Sequence, residues 1–180
     1  MRITKVTTKK GDRGKTQMGN GNFVSKASVE INVLGDLDEL SSVLGLVKSC
    51  SSNKDFKRDI GKIQNDLLNL GGEVTMNGDS VQLLKSERLE FLENEIKTIN
   101  DDLKPLEEFL LPGGNELSAR IHHARSVCRR GERSLTILIE NNQSPELWLQ
   151  YMNRLSDYLF VLARKCDSDK NQKEQMWDRG

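Results

Sequence analysis

The sequence has few aromatic residues and no long apolar run, and these shortages narrow both its fold and its location. Phe, Trp and Tyr make up 5% of the 180 residues, which favours helices packed by aliphatic side chains over a β-sandwich. No apolar stretch approaches the roughly 20 residues of a membrane span, and no signal-peptide pattern follows the charged start. We therefore expect a cytoplasmic protein with no membrane partner.

Neither sign of charge is in excess, because Lys+Arg and Asp+Glu both number 27. A chain without a basic excess is a poor general nucleic-acid binder, so we expect no nucleic-acid partner. The three cysteines are an odd and widely spaced set, which matches neither a disulfide framework nor a zinc pattern. Cys128 lies within an apolar helical line, which indicates a small buried residue.

Apolar residues recur in steps of three and four along most of the chain, which predicts amphipathic helices. Five such stretches are predicted, at about 33–47, 55–74, 86–103, 116–140 and 145–167. Ser86, Asn115 and Ser144 are the expected N-caps of the last three. The sequence therefore predicts an all-α fold, an antiparallel four- to five-helix bundle with an extended N-terminal arm.

The length of 180 residues suits a single domain, which we assign to residues 1–180. Residues 1–27 show no helical period and hold a cluster of glycines, so they are predicted to form the extended arm. Residues 28–167 form the helical bundle, and 168–180 are a polar tail that is expected to fray.

A Gly- and Lys-rich segment in the arm, residues 8–16, has the composition of a phosphate-binding loop. It is not a Walker A motif, because the first glycine of that motif would fall on Lys9 and no amphipathic helix follows directly. Its glycines let backbone N–H groups approach a ligand closely, and its lysines and threonines supply charge and donors. By itself, such a segment is more often a solvated basic loop than a ligand site.

Polar side chains follow one line of the predicted fourth helix: His122, Arg125, Arg129 and Glu132, with Arg133 beside them. This line lies one residue, about 100°, from the apolar stripe, so these groups flank the core. Arginines at a buried margin need anionic partners. Two interpretations stay open here, namely structural salt bridges to carboxylates of the bundle and a site for an anionic ligand.

The first and fifth predicted helices also bring polar groups to the edge of the core. Asp38 lies one step from the apolar stripe of the first helix. On the fifth helix, Asn153, Ser156, Asp157 and Phe160 share one side at spacings of three and four residues. Because three helices carry polar groups at the edge of the core, these residues are poorly explained as ordinary solvent-exposed side chains.

No residue pattern indicates a metal bound by the protein or a protein nucleophile. Neither His122 nor His123 follows a Glu by three residues, as the histidines of ferritin-like di-iron sites do. No Ser-His-Asp or Cys-His arrangement stands out. We therefore expect no metal ligands and no covalent catalysis by a side chain.

Five motifs occur in order along nearly the whole chain and together resemble one family. They are Thr8-Lys9-x-Gly11-Asp12-x-Gly14-x-Thr16, Gly35-x-x-Asp38-Glu39-Leu40-Ser41-Ser42, Phe109-x-Leu111-Pro112-Gly113-Gly114, His122-x-x-Arg125-x-x-x-Arg129-Arg130-x-Glu132-Arg133 and Asn153-Arg154-Leu155-Ser156-Asp157-Tyr158-Leu159-Phe160. The series closely resembles the trimeric, helical-bundle ATP:cob(I)alamin adenosyltransferases of the PduO type. The resemblance implies transfer of the 5′-deoxyadenosyl group of ATP to the Co(I) centre of a reduced corrinoid, with release of triphosphate.

The resemblance also implies a role for each matching residue. The ATP-binding residues would be Thr8, Lys9, Gly11, Asp12, Gly14, Lys15, Thr16, Lys26, Arg129, Glu132, Arg133 and Asn153. The corrinoid-binding residues would be Phe109, Asp38, Arg125, Ser156 and Asp157, and the catalytic residues Asp38, Arg125, Arg129 and Phe109. Phe109 would press on the lower face of the corrin and exclude the axial base, while Asp38 and Arg125 would pair across the site.

Cofactors and partners follow from the same resemblance. ATP and cob(I)alamin would be substrates, and Mg²⁺ would be carried by the ATP phosphates. Arg129, Glu132, Arg133 and Asn153 would complete the ATP site of a neighbouring subunit in a homotrimer. A reductase would supply the electron, and a cobalamin-dependent enzyme would accept the product.

One segment departs from the family pattern. Before the first helix the family commonly carries Arg-x-Glu, whereas this sequence has Glu30-Ile31-Asn32. The change reverses one charge and removes another near the nucleotide loop, so we expect altered ATP contacts around Lys26 and weaker turnover. It also supports an alternative function, a non-catalytic ATP- or corrinoid-binding protein of the same fold that delivers the cofactor or senses its supply.

Overall fold

The computed structural model describes residue 7 and residues 9–76, 81–141, 144–170 and 172–180. Its helices are α1 Val29–Ser49, α2 Lys54–Thr75, α3 Ser86–Asp101, α4 Glu116–Asn141 and α5 Glu146–Ser168. The all-α prediction is confirmed, and all five predicted helices are present, with ends that differ by a few residues. None of the helices in the described ranges is both long and apolar enough to cross a bilayer.

Helix α4 lies between α1 and α5 and runs antiparallel to both, whereas α3 runs in the same direction as α5. Helix α1 also packs against α2, and α3 packs against α5. Arg130 of α4 binds Asp36 near the start of α1 (Nε–Oδ1 2.8 Å), whereas Asn115, just before α4, binds Asp167 at the end of α5 (Nδ2–Oδ1 2.7 Å). Aliphatic side chains fill the space between the helices, and Cys128 is fully buried among them, as predicted.

The expected N-cap of α4 is confirmed, whereas the other two are wrong by one residue. Asn115 Oδ1 accepts hydrogen bonds from two N–H groups of the first turn (3.0 and 3.2 Å). Lys85, not Ser86, is the N-cap of α3, and Pro145, not Ser144, is the N-cap of α5. The ψ angles of these two residues, 146° and 129°, are extended, so helical geometry begins only at the following residue.

The N-terminal arm contains a β-hairpin that the sequence did not predict. Strand β1 (Lys15–Gln17) pairs antiparallel with β2 (Phe23–Ser25). Between them Met18 is buried, and the N–H of Asn20 donates to the carbonyl oxygen of Thr75 (3.3 Å). The hairpin therefore docks at the C-terminal end of α2, and three-residue strands are too short to show a period in the sequence.

The C-terminal tail contacts the loop before α4 instead of fraying. The N–H of Leu111 donates to the carbonyl oxygen of Gln175 (2.9 Å), and the N–H of Trp177 donates to the carbonyl oxygen of Phe109 (2.7 Å). These contacts are made by backbone groups, which every residue except proline supplies in full. The polar composition of the tail therefore did not reveal them.

Gly114 allows the loop before α4 to lie against the end of α5. Its φ is +89°, and a Cβ at this position would lie 2.3 Å from the carboxylate oxygens of Asp167. Asp167 is buried and accepts hydrogen bonds from Asn115 N–H (3.0 Å) and the Ser118 hydroxyl (2.7 Å). We expect Gly114→Ala to lower the free energy of unfolding by about 3 kcal/mol, because backbone strain and disrupted hydrogen bonds add. Urea denaturation measures the loss.

A second glycine provides the matched control for this substitution. Gly21 has φ +88°, and a Cβ there would meet no atom within 4 Å. Gly21→Ala therefore introduces the same backbone strain without the collision, and we expect a loss of about 1 kcal/mol. Equal losses for the two variants would contradict the importance of the contact with Asp167.

Candidate functional site

A cleft of about 540 Å³ lies between the loop before α4 and the facing sides of α4 and α5. It brings together four of the five predicted corrinoid-binding residues: Phe109, Arg125, Ser156 and Asp157. Phe109 is 74% exposed, and Phe160 forms a second aromatic wall. A large open cleft with aromatic walls and a charged rim suits a bulky ligand that has both apolar and polar parts.

Two arginines of α4 reach this cleft without an anionic partner among the residues that the structure describes. The Arg125 guanidinium lies 5.7 Å from the centre of the Phe160 ring, and its buried Nε has no hydrogen-bond partner among the described residues. Burial lowers the pKa of Arg125, and the neighbouring Arg129 cation lowers it further. No ion pair or hydrogen bond joins the Arg129 guanidinium to the part of the chain that the structure describes. Two adjacent unneutralised cations favour an anionic ligand.

The salt-bridge interpretation fits a different arginine of the same motif. Arg130 binds Asp36 (Nε–Oδ1 2.8 Å) and also pairs with Glu39. These contacts link α4 to α1 and leave the α4–α5 groove untouched. Of the two interpretations left open by the sequence, structural pairing describes Arg130, whereas Arg125 and Arg129 make no ion pair with the described residues and stay available to an anionic ligand.

Three predicted ATP-binding residues lie further along the same groove. Asn153 Nδ2 donates to Glu132 Oε1 (3.0 Å), and both residues line a second cleft of about 420 Å³. Arg133 is exposed, and its Nη1 donates to the carbonyl oxygen of Arg129 (3.3 Å). Glu132 follows Arg129 by three residues, so the two clefts lie about one helical turn apart. Together they form what we name the α4–α5 half-site.

The arm gathers another set of the predicted ATP-binding residues. Lys26 N–H donates to the carbonyl oxygen of Gly14 (2.8 Å), and a Cβ added to Gly11 would lie 2.9 Å from Lys26 Nζ. The ammonium group therefore lies over the glycine-rich loop. The described members of this set are Lys9, Gly11, Asp12, Gly14, Lys15, Thr16 and Lys26. Thr8 lies outside the described residues.

Asp38 lies on the same side of the bundle as the arm. It lines a cleft of about 400 Å³ between α1 and α2, together with Thr75, the residue at which the hairpin docks. The arm set and Asp38 form what we name the arm half-site. No hydrogen bond or ion pair among the described residues joins the arm to α4 or α5. Asp38 lines the cleft between α1 and α2, whereas Arg125 lines the cleft between α4 and α5, so the structure does not bring the two side chains together within one chain.

The segment that departs from the family pattern lies at the start of α1. Glu30 is half-buried in the first turn, and Asn32 is exposed one turn from the N-cap Ser28. An acidic side chain in the first turn is favourable, because the helix dipole is positive there. Glu30 therefore has a structural reason for its place, whatever its effect on the nucleotide.

Two aromatic residues at the site were missed as site residues. Phe160 lines the cleft on the same side of α5 as Ser156, where its spacing had placed it, although no site role was predicted for it. Its ring also meets the His122 ring edge-on (6.2 Å between centroids), and burial lowers the pKa of His122. Trp177 contacts Phe109 from a polar segment 68 residues later, where no sequence period points to it.

Among the described residues, no group of three or more His, Cys, Asp or Glu side chains is arranged to hold a metal ion. The hard oxygen donors that suit Mg²⁺ lie instead along the arm, where Asp12 is exposed and Thr16 is half-buried. Such a scattered donor set fits a cation that reaches the protein together with phosphate ligands.

Comparison with known proteins gives consistent matches over most of the chain. Residues 6–166 match the family model described as cobalamin adenosyltransferase. The chain is 40% identical to the cobalamin adenosyltransferase of Cupriavidus metallidurans over 179 residues, which cover 99% of this chain and 96% of that protein. It is 34% identical to the corrinoid adenosyltransferase of Bacillus subtilis over 165 residues, 89% of this chain and 85% of that one.

Solved structures agree with the sequence matches. A variant of the PduO-type ATP:corrinoid adenosyltransferase from Lactobacillus reuteri, complexed with cobalamin and ATP, superimposes with a TM-score of 0.92. It is 28% identical, and the match covers 98% of this chain and all of that chain. A second variant, complexed with ATP, gives a TM-score of 0.90 at 28% identity, covering 96% of this chain.

Proposed function

The chain belongs to the cobalamin adenosyltransferase family, and we propose that two half-sites, from two copies of the chain, divide the work of its reaction. The enzyme transfers the 5′-deoxyadenosyl group of ATP to the Co(I) centre of a reduced corrinoid and forms adenosylcobalamin and triphosphate. The observation in the structure that carries this function is the pair Arg125 and Arg129, which no described carboxylate neutralises and which lies in a cleft walled by Phe109.

The chemistry requires no nucleophile from the protein. The electron pair of Co(I) attacks the 5′-carbon of ATP, a cobalt–carbon bond forms, and the carbon–oxygen bond to the triphosphate breaks. The departing triphosphate takes the electron pair of that bond. The protein contributes by holding the two substrates in line and by stabilising the charge on the leaving group.

The α4–α5 half-site is proposed to supply the cations for the leaving group. Arg129 is the first candidate, because its guanidinium faces the cleft free of ion pairs to other described residues. Arg133 follows one turn later on the same helix. Glu132 and Asn153 are already hydrogen-bonded to each other (3.0 Å), so their polar groups are ordered before ATP arrives.

The loop side of the same cleft is proposed to bind the corrinoid. The Phe109 ring would lie against the lower face of the corrin and keep the axial base away from cobalt. A cobalt ion that lacks this ligand accepts an electron more easily, since axial ligands set the reduction potential. Arg125, Ser156 and Asp157 would contact the polar rim of the macrocycle.

The arm half-site is proposed to close over the triphosphate. The glycine-rich loop presents backbone N–H groups, and Lys9, Lys15 and Lys26 supply positive charge. Asp12 and Thr16 have the oxygen donors that would hold Mg²⁺ arriving with the triphosphate. When bound, the ion neutralises part of the negative charge that the leaving group carries.

A homotrimer would bring the two half-sites together. Within one chain they lie on different faces of the bundle, and a ring of copies joins one face of each subunit to the other face of the next. Leu46 and Leu68 are 50% and 75% exposed, as expected of side chains that a neighbouring subunit covers.

We place this single-domain enzyme in the cytoplasm, where its three free cysteines stay reduced. The reductase and the acceptor enzyme stay predictions.

The proposed function predicts a spectral change in a simple assay. Purified protein with ATP, Mg²⁺ and chemically reduced cobalamin, kept strictly anaerobic, should yield the light-sensitive spectrum of adenosylcobalamin together with triphosphate. Mixtures that lack ATP, or that contain EDTA in excess of Mg²⁺, should show no conversion. Absence of conversion in the complete mixture would contradict the function. ATP binding without triphosphate release would instead indicate the delivery or sensor alternative, to which the Glu30 and Asn32 departure points.

A further inference from the structure

The segment that follows α5 pairs with the backbone of Phe109 and of the residues directly after it. Trp177 N–H donates to the carbonyl oxygen of Phe109 (2.7 Å), and Leu111 N–H donates to the carbonyl oxygen of Gln175 (2.9 Å). Between these two bonds, Leu110 and Met176 form an antiparallel bridge. The loop that carries Phe109 is therefore one side of a short β-ladder, and the tail is the other.

The tail also contacts the Phe109 ring. The rings of Phe109 and Trp177 lie 6.3 Å apart between centroids at an angle of 56°, within the range of favourable aromatic pairs. Both rings remain partly exposed, at 74% and 46%. The contact therefore orients Phe109 without burying it, and one face of the ring stays open to a ligand.

A carboxylate closes the network around the two rings. Glu108 Oε1 accepts the N–H of Phe109 (2.9 Å), while Glu108 Oε2 pairs with Arg179 Nη2 (2.7 Å). The Arg179 guanidinium in turn lies 5.1 Å from the centre of the Trp177 ring. The N–H, the carbonyl oxygen and the ring of Phe109 thus all have partners that belong to the tail or are held by it.

An ion pair to a buried arginine fixes the start of this segment. Arg164 of α5 is 4% exposed, and its Nε binds Glu174 (2.7 Å). Its Nη2 donates to the carbonyl oxygen of Lys104 (2.7 Å), at the beginning of the Phe109 loop. The tail and the loop are therefore anchored to the same side chain of the bundle before they meet at Trp177.

From this geometry we infer that Trp177 is a positioning residue for the corrinoid, and that it acts through Phe109. The inference rests on the proposed role of Phe109 as the wedge beneath the corrin. Phe109 stands on a loop and has little of its own surface against the bundle, so its direction depends on the tail. If the tail contact is lost, the ring must be ordered when the corrinoid binds, which weakens binding and lets the axial base return to cobalt.

The test compares Trp177→Ala with the conservative Trp177→Phe in the full-length protein. For Trp177→Ala we expect the KM for cob(I)alamin to rise about tenfold, the effect of losing one aromatic pair, while the KM for ATP changes by less than about twofold. The absorption spectrum of cob(II)alamin bound with MgATP should shift from the four-coordinate towards the five-coordinate form. Trp177→Phe keeps a ring in contact with Phe109 and should restore most of both properties.

Asp178→Ala is the matched control, because within the described part of the chain the Asp178 carboxylate accepts only a local hydrogen bond, from the N–H of Gly180 (3.0 Å). It should behave as the wild type. Wild-type kinetics and spectrum in Trp177→Ala, beside an active wild type, would overturn the inference alone. So would equal losses for ATP and cobalamin, which indicate general disorder. A wild type with no adenosyl transfer would overturn the proposed function and this inference with it.

Discussion

Arg129→Ala is expected to reduce adenosyl transfer about 10²–10³-fold, the usual loss when one preorganised group that stabilises a departing anion is removed. Arg129 is exposed at the cleft, and its guanidinium has no hydrogen bond or ion pair within the described ranges of the chain. Its removal therefore breaks no contact that stabilises the bundle. We expect helical circular dichroism and the urea midpoint to stay at their wild-type values. Single-turnover formation of adenosylcobalamin measures the chemical step directly.

Two further variants separate charge from geometry in this result. Arg129→Lys keeps the charge but loses the planar pair of donors, so its rate should lie between those of Arg129→Ala and the wild type. Arg120→Ala removes a cation from the same helix, one that pairs with Glu116 (Nη2–Oε1 2.7 Å) outside the cleft. It should retain wild-type turnover. An equal loss in Arg120→Ala and Arg129→Ala would show that only the general charge of α4 matters.

The helices could be predicted because their apolar residues repeat with the period of the structure. Leu40 and Leu44, four residues apart, are both fully buried, as are Ile60, Ile63 and Leu67 on α2. A core that faces one side of every helix imposes this pattern on the sequence. The hairpin formed by Lys15–Gln17 and Phe23–Ser25 and the tail around Trp177 leave no such pattern in the sequence, because backbone hydrogen bonds hold them in place.

Buried polar contacts between helices were also beyond sequence reasoning. Asp66 accepts hydrogen bonds from Arg88 Nε (2.8 Å) and from the Tyr151 hydroxyl (2.8 Å), although these residues lie on three helices. Burial raises the pKa of Tyr151, and the nearby Asp66 raises it further, so the phenol remains a donor. A single carboxylate in an apolar stripe does not identify which of many cations and hydroxyls reaches it.

The positions of the site residues on their helices could be predicted from the sequence, whereas their binding partners could not. Periodicity placed Arg125 and Arg129 at the edge of the core, and the structure places both in one cleft. Spacing alone left open whether those arginines bind carboxylates or a ligand, because that depends on distances between helices. Their roles in catalysis, like that of Asp38, stay predictions. Asp38 and Arg125 lie apart within one chain. Of the predictions that remain, the arrangement of the subunits is therefore the most informative to test.

Asp38→Asn and Arg129→Ala should each be inactive alone, yet active when co-expressed in one mixed trimer. Asp38 belongs to the arm half-site and Arg129 to the α4–α5 half-site, so each variant damages one half only. In a random mixture, half of each kind of half-site is intact, and about a quarter of the wild-type activity should return. Asp38→Asn alone should lower activity about 10²-fold. The carboxylate is expected to pair with Arg125 of the neighbouring subunit, and leaving that partly buried charge unpaired costs about 3 kcal/mol or more. A matched mixture of Arg125→Ala with Arg129→Ala damages the same half twice and should recover nothing. If the Asp38→Asn mixture also stays inactive although mass spectrometry detects mixed trimers, both half-sites must act within one chain.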